Sequence, residues 1–206
     1  MTIARADLRV EIGLIGPNAT NVLIGVVDRI KGNKCRQDIF FERQNAESQI
    51  IDLDAGDGFK LIPDKKTAIK ISIGQFIQTN RIAIDEINDT GKAEIVNGYD
   101  TEIYTYTNIY GSSYMLWIAN DFPNFKTVKN DLVKRDRLNM ATRSGLFHLS
   151  TLPGMLVKCH AFVMPTNAPP FQVVINEEPI DESIFEVPKD YTWQMPQTPI
   201  TTSTNK

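Results

Sequence analysis

Residues 34–71 read KCRQDIFFERQNAESQIIDLDAGDGFKLIPDKKTAIKI, and apolar side chains there recur at every second position between turn signals. Cys35, Gln37, Ile39 and Phe41 share one face of an extended segment, with Arg36, Asp38 and Glu42 opposite and Phe40 as the interruption. Ile51 and Leu53 continue the apolar face against Asp52 and Asp54. The runs Asp54-Ala55-Gly56-Asp57-Gly58 and Pro63-Asp64-Lys65-Lys66 supply the positive-φ positions and the fixed-φ proline that reverse a strand within a few residues. The pattern predicts four short strands in an antiparallel meander. Its apolar face must be buried, either in a dry core or around an apolar ligand.

Upstream, Leu8, Val10, Ile12 and Leu14 alternate with Arg9 and Glu11 before a turn at Gly16-Pro17-Asn18. Val22, Ile24, Val26 and Ile30 repeat the alternation, and Leu23 and Val27 make the second face partly apolar, as in a strand covered on both sides. Over residues 73–89 the period changes. Phe76, Ile77, Ile84 and Ile87, with Asp85 and Glu86 between, predict an amphipathic helix ended by Gly91. Strands are expected at 93–96, 102–109 and 114–119, the last two joined by a turn at Tyr110-Gly111-Ser112-Ser113.

Asp121-Phe122-Pro123-Asn124 is a helix entry, followed by Phe125, Val128 and Leu132 at helical spacing. Lys126, Lys129, Lys134, Arg135, Arg137 and Arg143, diluted by Asp131 and Asp136, read as the solvated face of that helix. Residues 157–164 and 171–175 predict a strand pair, 181–185 a single helical turn, and the polar tail after Trp193 a disordered end.

The 206 residues, 42% hydrophobic and 23% charged, suit one domain over 1–192 with a tail at 193–206. A formal net charge of -3 gives no global case for nucleic acid. No apolar run reaches the roughly 18 residues of a transmembrane helix. The opening MTIARADLRV has no apolar leader core, which leaves two expectations: a cytoplasmic protein, or an envelope protein whose native leader has been removed.

Little here points to catalysis, and no catalytic, cofactor or metal residues are expected. Cys35 and Cys159 lie far apart and match no CxxC spacing, so they read as two half-buried thiols, with a disulfide as the alternative. Cys159 and His160 are neighbours on a strand and point to opposite faces, which rules out a nucleophile and base pair. His148 is the other histidine, and the two lack zinc-ligand spacing. Asp52, Asp54 and Asp57 surround a glycine turn without the closing glutamate of a calcium loop. GxGxxG, GxxxxGK[ST] and GxSxG are missing.

The order of the motifs GNKCRQDIFFE, IIDLDAGDGFKLIPDKKTAIKI, NGYDTEIYTY, YMLWIANDFPN, LPGMLVKCHAFV and EEPIDESIFEVPKDY resembles the lipoprotein-localisation carriers of the bacterial envelope (the LolA/LolB/LppX-like fold). It is similar in particular to an uncharacterised, DUF4412-like envelope family whose members end in a "vd.s.F.vP.gY" pattern. The resemblance covers about residues 6–191. It implies a β-rich α+β fold: a strongly curved antiparallel sheet forming an unclosed barrel, with two or three helices in or over the concave side. It also implies a periplasmic or secreted location after leader removal and no activity, and with the missing motifs the expectation is a non-catalytic protein without cofactors. The concave face would bind an apolar ligand, a lipid or lipoprotein acyl chain, with Ile39, Phe41, Ile51, Leu53, Tyr104, Tyr106 and Trp117 lining the space. The alternative for those residues is a dry core. The alternative function is an envelope protein-interaction module using strand edges or the basic helix face for peripheral contact.

Overall fold

A computed structural model describes residues 7–15, 22–41, 44–72, 86–107, 112–123, 125–142, 148–162 and 171–194. The first meander comprises β1 (Leu8–Ile15), β2 (Val22–Lys31), β3 (Lys34–Phe41), β4 (Gln44–Asp52), β5 (Asp57–Ile62) and β6 (Thr67–Ser72). A second run holds β7 (Glu86–Val96), β8 (Tyr99–Thr107), β9 (Ser113–Ala119), helix α1 (Phe125–Thr142), β10 (Met155–Ala161) and β11 (Phe171–Glu177), and β12 (Thr192–Gln194) closes the described chain. They form one 12-stranded sheet in the order β12-β6-β5-β4-β3-β2-β1-β11-β10-β9-β8-β7. Antiparallel pairing of β1 with β11 joins the two runs. Among the described residues β7 and β12 end the order without pairing to each other, so the sheet they form is open.

The four strands predicted within 34–71 are β3 to β6. Their turns work by the expected chemistry: Asp52 Oδ1 accepts from the backbone N–H groups of Asp54 (2.9 Å) and Ala55 (3.0 Å), and Gly56 takes φ 66°. Lys66 closes the Pro63 turn in the left-handed region at φ 45°.

The expected two or three helices over a concave sheet are corrected to one α-helix among the described residues. The helix predicted over 73–89 fails where it can be seen, because Glu86–Val96 is strand β7, while 73–85 lie outside the described residues. The physical reason is that β7 is an edge strand, largely exposed, so it lacks the apolar alternation that marks an inner strand. Ile87 meets Tyr106 across the ladder and is packed against the core, with no help from a helical period. The turn at 181–185 is a short 3₁₀ turn, Glu182–Phe185, capped by the Asp181 carboxylate on Ser183 N at 2.9 Å. Beyond the strand pair β10–β11, Thr192–Gln194 adds to β6 in parallel. Residues 165–170, the turn residues Tyr110 and Gly111, and the tail from 195 lie outside the described residues.

Helix α1 packs Val128 and Leu132 onto one face of the sheet, in a core with Leu8, Val10, Ile12, Val26, Ile30, Cys35, Ile51, Leu116, Ile118 and Cys159. The opposite face is covered at β4 to β6 by the segment after β11, where Ile180 and Phe185 join Ile50, Leu61 and Ala68. Cations of β2 and β3 hold that segment by its backbone: Lys31 Nζ donates to Ile180 O (2.5 Å) and Arg36 Nη1 to Ile184 O (2.8 Å). At β4 to β6 that cover leaves the helix-bearing face as the one free to carry a site.

Candidate functional site on the helix-bearing face

Directly paired residues on neighbouring strands point to the same side of a sheet, so the register sorts the helix-bearing face into rows. One row is apolar: Leu8, Ile30, Cys35, Ile51, Gly58 and Ile71. Another runs Ile12, Val26, Ile39 and Glu47. Between them runs Val10, Asp28, Gln37, Gln49, Lys60 and Ile69, a row whose middle four members are polar. A polar seam thus crosses the inside of an otherwise aliphatic wall.

At β2 the seam is closed by the helix. Arg135 Nε donates to Asp28 Oδ2 at 2.6 Å, and Gln37 Nε2 donates to Asp28 Oδ1 at 2.7 Å. Arg135 Nη1 also reaches Asp136 Oδ1 (3.1 Å), and Asp136 accepts from the backbone N–H groups of Leu149 (3.1 Å) and Ser150 (2.7 Å). Arg135, Asp28 and Asp136 are all fully buried. Burial alone would lower the Arg135 pKa, but the Asp28 and Asp136 carboxylates outweigh it and hold the guanidinium above its ordinary value. Burial likewise pushes the Asp136 carboxyl up, against the pull of Arg135 and the Ser150 donors.

This corrects the solvated reading for Arg135, Asp136 and Asp131, which are buried, while Lys126 is exposed as expected and Arg143 lies outside the described residues. Val128, Leu132, Arg135 and Asp136 fall at i, i+4, i+7 and i+8, the spacing of one buried stripe. The last two steps of that stripe are charged, and residue type alone assigns them to water. Asp28 carries no signal of its own, because a single aspartate in an alternating strand gives no sign of an opposite charge 107 positions away.

The seven expected lining residues divide. Ile51 and Tyr106 are fully buried in the core beneath α1, with Ile39, Leu53 and Tyr104 half-buried against it. The Tyr104 hydroxyl donates to Glu102 Oε2 at 2.7 Å, which with burial pushes its pKa up to about 12. Phe41 has the same parity as Ile39 and is 59% exposed. Trp117 is separated from the rest: it pairs with Ile103 while Leu116 pairs with Tyr104, so it belongs to the opposite face. There its indole N–H donates to Glu94 Oε2 (2.8 Å) and Lys158 Nζ sits 3.8 Å from its ring centroid. Ile62, Ile69 and Ile71, not foreseen as lining, stand half-buried on the helix-bearing side of β5 and β6.

Cys35 and Cys159 are free and buried on the helix-bearing face, and His160 is on the other side of β10 from Cys159. Burial, helped by the Asp28 carboxylate, pushes the Cys35 thiol up to about 12, and burial does the same to Cys159. Native protein near neutral pH is therefore expected to be inert to a thiol reagent that labels both cysteines once the chain is denatured. The ordinary thiol value is 9.0, so above that pH the unfolded chain loses protons that the native state keeps. Stability should be intact below about 9 and fall as pH rises towards about 12, which denaturation midpoints across that range would read.

A family model described as "Domain of unknown function (DUF4412)" matches residues 29–191. The chain belongs to the DUF4412 family. The matched span includes Gln37, Gln49, Arg135 and Asp136 and begins one residue after Asp28. No curated protein matches this DUF4412 chain. Among solved structures it is similar to an uncharacterized conserved protein from Thermus thermophilus, at 7% identity and a TM-score of 0.49, covering 94% of this chain and 92% of that one. It is also similar to PNGF-II, at 10% identity and a TM-score of 0.45, covering 93% of this chain and 32% of that one. The DUF4412 chain thus spans about a third of the length of PNGF-II.

Proposed function

We propose that this protein is a non-catalytic binding protein of the bacterial envelope that holds an aliphatic chain, a lipid or lipoprotein acyl chain, on the helix-bearing face of β3 to β6. One observation carries the reading. Phe41 is 59% exposed on the same side as the half-buried Ile39, Ile62, Ile69 and Ile71. Covering such a patch with an alkyl chain gains about 25 cal/mol per Å² of apolar surface removed from water.

A second reading, an envelope protein-interaction module, has support at the other end of the sheet. Among the described residues β7 pairs only with β8, and its Ile95 is 72% exposed. The register break between Asp89 and Lys92, with Lys92 and Glu94 following, blunts that edge against strand addition. The aliphatic wall is therefore the better-supported site.

Displacement of a fluorescent fatty-acid probe, with native mass spectrometry for stoichiometry, tests the first reading. Phe41→Asp should weaken probe binding at least about tenfold, because a buried carboxylate must be desolvated. Its thermal midpoint should stay near wild type, since the native side chain is largely in water. If no aliphatic probe binds the wild-type protein, the carrier reading is wrong.

A further inference from the structure

Gln49 stands in the polar seam and is only 6% exposed, yet its side-chain oxygen is buried without a hydrogen-bond partner among the described residues. Its Nε2 donates to Glu47 Oε1 at 3.0 Å. A carboxylate can only accept, so this bond fixes the amide with Nε2 towards Glu47 and Oε1 turned away. The adjoining donors of the seam are engaged elsewhere: Gln37 Nε2 on Asp28 Oδ1 (2.7 Å), and Lys60 Nζ on Glu47 Oε2 (2.5 Å). A buried carbonyl oxygen left unpaired costs roughly 1–3 kcal/mol. Native proteins leave few such groups, and a functional site is one of the places where they occur.

The position of this oxygen in the wall gives it meaning. The row on one side contributes Ile39 beside Glu47, the row on the other contributes Ile51 with Ile71 further along, and Phe41 continues the same face into solvent. We propose that Gln49 is the head-group acceptor of the aliphatic site, taking a hydrogen bond from the hydroxyl of an alcohol-headed amphiphile whose chain lies over Ile39 and Phe41. The inference rests on the aliphatic-chain reading above and adds the chemistry of the head. A hydroxyl supplies the one missing donor and brings no charge. A fatty-acid carboxylate has no proton to give near neutral pH and would face both Oε1 and Glu47. An alkylammonium would have to be desolvated beside a carboxylate already paired with Lys60.

Three probes with one chain length distinguish these heads: dodecan-1-ol, dodecanoate and dodecylamine, each displacing a fluorescent alkyl reporter below its aggregation concentration. The alcohol should bind about tenfold tighter than either charged probe, the scale of one well-made buried hydrogen bond. Gln49→Met, close in volume, should remove that preference while leaving dodecanoate affinity within about twofold. A ligand-facing acceptor also predicts that Gln49→Met melts no lower than wild type, because the substitution removes an unpaired buried oxygen, whereas a structural glutamine would lower the midpoint. Gln49→Leu repeats the comparison if the methionine variant fails to fold. Equal affinity for all three heads, or an alcohol preference untouched in both variants, overturns the Gln49 assignment and leaves the aliphatic site standing. Failure of every probe to displace the reporter overturns both.

Discussion

Replacing Arg135 with alanine should cost about 3–5 kcal/mol of folding stability, the range for removing one partner of a buried ion pair. The guanidinium is fully buried and answers two carboxylates, Asp28 on β2 and Asp136 on its own helix. Without it, Asp28 keeps its bond from Gln37 but loses its cation, and a carboxylate stays in an apolar core. Such a loss is a large share of the 5–15 kcal/mol that holds a typical domain together, so the variant should unfold at a much lower denaturant concentration. The double variant Arg135→Met with Asp28→Leu should recover much of the deficit, since an apolar pair of similar volume needs no charge compensation. A double-mutant cycle on guanidinium midpoints reads both effects. A near-wild-type midpoint for Arg135→Ala would mean that the guanidinium sits in water, contrary to the geometry.

The same residues show which parts of the molecule are legible in the sequence. The meander of β3 to β6 is, because each strand buries alternate residues and each turn carries its own backbone signal. Alternation even places Gln37 on the inner face with Cys35 and Ile39, which is where it lies. Its significance is hidden, because a polar seam exists only when Asp28, Gln37, Gln49 and Lys60 come into line, and that depends on the register of four strands. Trp117 is misplaced for a related reason. In Tyr114-Met115-Leu116-Trp117-Ile118 both parities are apolar, so alternation alone does not say which faces the helix. In β7 the weak signal is physical: an edge strand bathed in solvent has no need of the pattern. Arg135 and Asp136 are readable as members of a stripe, but only by following spacing over residue type.

The β1–β2 pairing is the most sensitive point of this arrangement, and Gly25→Ala should be as damaging as loss of Arg135. Gly25 lies opposite Gly13 in the ladder, with φ at 152°, outside the comfortable range for an L side chain. A Cβ there would sit 2.1 Å from Ile12 O and 2.6 Å from Gly13 Cα, and both are backbone atoms in the partner strand. No rotamer change relieves that overlap, so β1 and β2 must separate or slip. A shift of β2 by one residue in both its ladders would turn Asp28 to the opposite face and leave Arg135 facing no carboxylate on β2. The expected result is a loss of at least about 3 kcal/mol, combining the steric clash with the broken ion pair. Hydrogen exchange would show the same cause by a faster exchange of the β1 and β2 amides than of those in β8 and β9. Once β2 is out of register, Arg135→Ala should add little, because the pair it would break has already been lost. Full additivity of the two substitutions would disprove this link between the glycine and the seam.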